Sequence, residues 1–295
     1  MEATFHKEND LRRLGKHVFR IAATLLLGGL LGATLVRFAP GFGVDESELD
    51  SRLNNASIHA LREQNQPQRN LLAFYADYLW RLAHGDLGTS RLFQRPISEL
   101  LRERIPDSAK SITLGLALGW ALGLGMALLS VIPRSWGADF VSSLIVGMLL
   151  CLPAAVLSLL FVLARAPVRL VLAFIVFPSV FRYARNLLQH SAKQPHVLMA
   201  HAKGLNQTRV LLWHVLRPVA PQLLALAGVS VSAALTAAIP VEALCDLPGI
   251  GQLAWKAALG RDLNLLVDLT MIVTVVTLLA NSVAEFLPQP RSASA

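Results

Sequence analysis

Residues 111–132 contain no charged side chain, and 22 such residues wound as a helix cover roughly 33 Å, enough for the hydrocarbon core of a bilayer. The chain repeats this feature. Residues 140–164 are uncharged, with Pro153 inside the run, and residues 219–241 form a third stretch. Residues 21–36 form a fourth, extended by Val18 and Phe38 to 18–38. Residues 263–284 are largely apolar, with Asp268 and Asn281 among their few polar residues. Residues 170–181 make the shortest run, bounded by Arg169 and Arg182 and interrupted by Pro178. They count as a span because long basic side chains can snorkel to the interface at both ends. The pattern predicts an all-α polytopic membrane protein with six transmembrane helices.

The composition agrees: 54% of the 295 residues are hydrophobic and only 16% are charged, against about a quarter in an ordinary soluble domain. This excludes a disordered chain, a disulfide scaffold and a water-soluble enzyme of the usual kind. The net charge of +8 points to membrane orientation rather than nucleic acid, because of where the charge lies. Basic residues fill the N-terminal tail (1–17) and the segment from Arg182 to Arg217, which holds no acidic residue. On the opposite side, Arg165, Arg169, Lys256 and Arg261 are offset by Glu242, Asp246 and Asp262. The positive-inside rule then puts both termini in the cytoplasm, the 289–295 tail included, with residues 39–108 outside. A cleaved signal peptide fits poorly, since Arg37 and Pro40 stand where small residues belong. The two cysteines form no Cys-x-x-Cys motif. Cys151 falls in the bilayer and Cys245 outside it, so both are expected to be unpaired.

The outer segment reads as a polar loop over 40–69, then an amphipathic surface helix from Asn70 through Leu82. Turn-rich residues 85–90 follow, then a short helix over 96–104, ending before Pro106. A five-helix core occupies 109–288. Its second span carries Gly115, Gly119 and Gly123 at four-residue spacing, as the first carries Gly28 and Gly32. Such positions allow helix backbones to approach closely, and glycine being simply common in membrane helices is the equal alternative. Asp268 and Glu285 lie near the ends of the last span, where interfacial solvation accounts for them better than an intramembrane role. His190, His196, His201 and His214 share one basic segment at spacings of 6, 5 and 13. No pair has the i, i+4 spacing of a helical ligand pair, and no carboxylate or thiolate accompanies them. No metal or other cofactor is expected.

The segment 190–217 is long for a simple connection. Residues 197–203 can form a short helix, Gly204 supplies a stop or tight turn, and Asn206 is placed to cap a second helix. That second helix mixes apolar Val210, Leu211, Trp213 and Leu216 with basic Arg209, His214 and Arg217. A helix–turn–helix lying across the membrane face in this way can dock on a partner. A basic loop that only sets topology and touches lipid headgroups is the plainer alternative.

The run Ala200, His201, Ala202, Lys203, Gly204 and Leu205, followed by His214 to Arg217, resembles the coupling loop of ABC-importer permeases of the dipeptide/oligopeptide/nickel family. Three further stretches resemble that family in order. Arg37 to Gly41 stands at the end of the first span. His84 to Ser90, with Arg95, Pro96 and Glu103 to Pro106, leads into the second. Val241 to Leu253, with Arg261, Asp262 and Asn281, covers the last loop and helix. The resemblance implies a permease that forms half of a pathway by alternating access, in the inner membrane of a prokaryote. It implies a second homologous permease, two ABC ATPase subunits, an extracytoplasmic solute-binding protein and lipid as partners. In that scheme Gly204 places the docking helix, and Lys203, Arg209 and Arg217 orient it. On the outer face (241–262), Glu242, Pro248, Gly249, Gly251 and Asp262 lie on the binding-protein side.

Departures from the family pattern are visible. Leu198-Met199-Ala200 stands where the broader signature has Glu-Ala-Ala, His201 replaces a usual arginine, and Pro218 stands where asparagine is common. The 165–169 connection is short. No Gly-x-x-x-x-Gly-Lys-Ser/Thr sequence occurs, so ATP hydrolysis by a P-loop must come from another subunit. A membrane-embedded enzyme would need paired catalytic groups at depth, and none is apparent. A passive channel or a permease without ATPases stays open at this level, and so does the solute.

Overall fold

The computed structural model describes residues 23–24, 26–28, 34, 80–81, 84–131 and 136–285. The expected first span (18–38), the amphipathic helix from Asn70 and the 289–295 tail fall outside the described residues, apart from isolated positions. Among the described residues the structure is helical, with one isolated antiparallel bridge between Thr89 and Pro96. The described residues before 104 join Lys256–Val275 in one compact unit, and the described residues of Arg104–Trp255 with 276–285 form a second.

The first helix, α1 (Ile97–Leu129), is continuous through Pro106. The expected break there is absent. Proline at 106 removes only the N–H that would bond the carbonyl of Arg102, and Arg102 lies on an exposed flank where solvent can serve that carbonyl. The short outer helix and the second span are therefore one rod.

Two helices, α2 (Trp136–Cys151) and α3 (Ala154–Leu163), make up the single span expected over 140–164. Their apolar parts meet at a 101° bend. Pro153 causes it. Its backbone is extended (φ −60°, ψ 144°), it offers no N–H to the preceding turn, and it starts α3 by accepting from the Leu157 amide at 3.1 Å.

The short, doubly bounded run becomes α4 (Val171–Ala192), a full 22 residues, preceded by a 3₁₀ turn at Val168–Leu170. It absorbs Pro178 and extends past Arg182 and Arg185. Gly115, Gly119 and Gly123 of α1 face Leu172, Val176 and Val180 of α4. A Cβ on Gly119 would sit 2.9 Å from the Val176 Cβ, and one on Gly123 2.9 Å from the Val180 Cβ. The contact partners climb in step on both helices, so α1 and α4 run parallel. The chain between them must then return to the level where α1's contact began, and α2 with α3 makes that return.

After α5 (Pro195–Ala202) comes α6, a 38-residue helix from Gln207 to Leu244. The separate second loop helix and the span expected over 219–241 are one element. Its foot, Val210–Leu216, is wound as a π-helix before α-geometry resumes at Arg217. Two helices complete the described chain, α7 (Ile250–Leu259) and α8 (Leu263–Glu285). Four helices, namely α1, Val168–Ala192, Gln207–Leu244 and Leu263–Ser282, are long and apolar enough to cross a membrane, or five crossings if the bent pair is one. The core of the second unit gathers Phe177, Phe181, Ala184 and Leu188 of α4 around Val197 and Ala200 of α5 and Val210, Val215, Val219 and Leu223 of α6. That core anchors the loop described next.

Candidate functional site

Proline at 195 starts α5 in the first-turn position where its missing N–H costs nothing. Val197 and Ala200 are buried, whereas Leu198 and Met199 are 64% and 63% exposed. The helix ends on a paired-bond cap: Gly204 N–H donates to the His201 carbonyl at 2.9 Å, and Leu205 N–H to the Ala200 carbonyl at 3.3 Å. Such a cap needs a left-handed residue, and Gly204 has φ +73°. Nothing lies within 4 Å of where its Cβ would be. The glycine is thus required for backbone angle and not for space.

His201, Ala202, Lys203 and Arg209 are exposed, Leu205 is half-buried against the core, and His214 is half-buried. Arg217 is exposed and lies with its guanidinium 5.0 Å from the centre of the Trp213 ring. Asn206 takes the expected cap position (φ −60°, ψ 140°), but its side chain makes no capping bond. Leu212 and Trp213 are exposed as well, 48% and 58%. Sequence reasoning noted the charges here and passed over the exposed Leu198, Met199 and Leu212. The signal was present, since apolar side chains in a segment expected outside the bilayer need something to cover them.

On the expected outer side, Glu242 is 1% exposed at the end of α6. It accepts from the Ser108 hydroxyl at 2.7 Å and from the Gly251 amide at 2.6 Å. Ser108 Oγ in turn accepts from the Ile250 amide at 2.7 Å. The carboxylate and hydroxyl together satisfy free amides at the start of α7, a cap supplied from distant sequence. Gly249 and Gly251 permit it. A Cβ on Gly249 would collide with the Glu242 carboxylate and Ser108 Oγ, and one on Gly251 would lie 2.6 Å from the Ala238 carbonyl oxygen. Pro248 is exposed beside them. Just past α6, burial pushes the Cys245 thiol up from its ordinary range.

In the other unit, Asp262 is also 1% exposed. One oxygen accepts from Ser90 Oγ at 2.5 Å and from the Leu92 amide at 3.1 Å, and the other from the Leu265 amide at 3.3 Å. It caps α8 and ties the 88–92 turn to it. Glu242 and Asp262 are therefore buried positioning groups, with no carboxylate surface for a visiting protein. Ser108 carried no sequence signal, and Ser90 stood out only as the end of the family-like stretch from His84. Asp268 is also 1% exposed, which corrects the expectation of interfacial solvation. Among the described residues no three His, Cys, Asp or Glu side chains gather as a metal set.

A set of membrane-length helices, with a capped helix and turn between two of them, defines the class of polytopic membrane proteins. The chain belongs to the family described as binding-protein-dependent transport system inner membrane component, whose model matches residues 109–289. It is a permease subunit of an ABC importer. It is 26% identical over 262 residues to the oligopeptide transport system permease protein OppB of Escherichia coli strain K12, covering 81% of this chain and 84% of the relative. To OppB of Haemophilus influenzae it is 25% identical over 300 residues, covering 94% and 96%. To OppB of Salmonella typhimurium it is 26% identical over 241 residues, covering 74% and 77%.

Proposed function

We propose that this chain forms half of the translocation pathway of an oligopeptide importer in a prokaryotic plasma membrane, and that α5 with the foot of α6 receives an ABC ATPase. The relatives named as oligopeptide permeases support the solute class. The parallel run of α1 and α4 supports counting α2 and α3 as one crossing, and the apolar run over 18–38 supports a further one, six in all. The basic residues of 182–217 support a cytoplasmic position for the loop and both termini. A second homologous permease, two ATPases and an extracytoplasmic binding protein complete the assembly. The ATPases burn the nucleotide, and their closure moves α6 through the loop.

One observation carries the docking proposal. The loop's inner face is fixed into the core by Val197, Ala200, Val210 and Val215, while Leu198, Met199, Leu212 and Trp213 stand exposed. A loop that merely set topology would gain nothing by exposing them. Replacing Gly204 with aspartate adds bulk and charge where nothing in this chain is touched. The expected result is normal membrane insertion with loss of bound ATPase and of transport. ATPase retained at normal yield would overturn the docking proposal.

A further inference from the structure

The foot of α6 departs from α-geometry at a definite place, and Pro218 is the cause. In an α-helix the carbonyl of His214 accepts from the amide of residue 218. Residue 218 is proline, which has no N–H and whose ring presses on that same carbonyl. The helix widens over Val210–Leu216, and the Arg217 amide reaches back five residues to the Leu212 carbonyl. The donor that proline withholds comes from another helix: His196 Nε2 donates to the His214 carbonyl at 2.9 Å. One residue on, the buried Ser191 hydroxyl donates to the Val215 carbonyl at 3.0 Å. Two side chains thus serve successive carbonyls of the widened turn, one from α5 and one from the end of α4.

We propose that His196 is a positioning residue that completes the turn opened by Pro218 and thereby pins α5 to the foot of α6. The inference rests on the docking reading only for its consequence. If α5 receives the ATPase, this bond is the polar link through which a push on α5 reaches the span without slipping past the broken turn. His196 and Pro218 then form a dependent pair, each of use because of the other. Both border a cavity of about 340 Å³.

The test is a double-mutant cycle read by amide hydrogen exchange over residues 207–220 in the purified intact complex. An exposed hydrogen bond of this kind predicts a threefold to tenfold faster exchange, roughly, in His196→Leu. His196→Gln, whose amide nitrogen can reach the same carbonyl, restores the protection. In a Pro218→Ala background, residue 218 supplies its own N–H, and His196→Leu then changes nothing. Equal acceleration in both backgrounds, or no acceleration in the first, overturns the pairing. Basal ATP hydrolysis by the same complexes separates the two readings. If exchange shows the dependence and hydrolysis falls with it, both stand. If exchange shows it and hydrolysis is unmoved, the pairing stands and the transmission of a push through this bond fails.

Discussion

Gly204 and Gly249 are both glycines for physical reasons, and the reasons differ. Gly204 sits at φ +73° with open space around it, so its demand is angular. Asparagine tolerates that region, whereas a β-branched residue does not. Gly204→Asn is expected to keep the cap at a cost of a few tenths of a kcal/mol, and Gly204→Val to lose about 1–2 kcal/mol. Thermal unfolding of the purified chain in detergent ranks the two. Gly249 has an ordinary backbone and no room, because Glu242 and Ser108 occupy the place of its Cβ. Gly249→Ala is expected to separate the carboxylate from the start of α7 and to cost about 1–3 kcal/mol, more than the same change at Gly204. The family resemblance put Pro248, Gly249 and Gly251 together on the outer face. It could not tell that Glu242 lies beneath them, because the hydroxyl that fixes the carboxylate comes from Ser108, more than a hundred positions away.

At the scale of elements, apolar runs located the spans but not their continuity. Pro106 and Pro153 look alike in the chain, yet one is absorbed within α1 and the other turns its helix through 101°. The difference lies in what can serve the orphaned carbonyl and where the following turn can restart. A window of sequence contains neither. The glycines of α1 were legible as close-approach positions, whereas their partners on α4 were not, since any branched residue of a span could have filled the role. Gly119→Leu is expected to force α1 and α4 apart and destabilise the protein by about 1–3 kcal/mol, with Gly125→Leu, which faces open space, near neutral. Melting temperatures of the two variants in the same detergent check this contrast.

For the whole molecule, orientation is the property with the simplest readout. With Cys151 and Cys245 replaced by serine, single cysteines placed at exposed Lys203 and exposed Pro248 are expected to react with an impermeant maleimide from opposite faces of the membrane, Lys203→Cys only in inverted vesicles. Labelling of both from one face would undo the topology and the docking reading with it. The class was legible from the uncharged runs. The solute was not, because nothing in a span's hydropathy encodes what passes beside it.

The corner at Pro153 has a thermodynamic consequence for the company this chain keeps. Where α2 stops and α3 begins, backbone carbonyls are released from any ladder, and acyl chains offer them no donor. Such an elbow is intolerable against hydrocarbon and comfortable against moisture or a neighbouring subunit. Cys151, a free and exposed thiol two residues before the proline, is a built-in reporter of which it meets. A hydrophilic thiol reagent is expected to find it readily in the solitary chain and slowly in the assembled importer, marking the elbow as a seam between subunits.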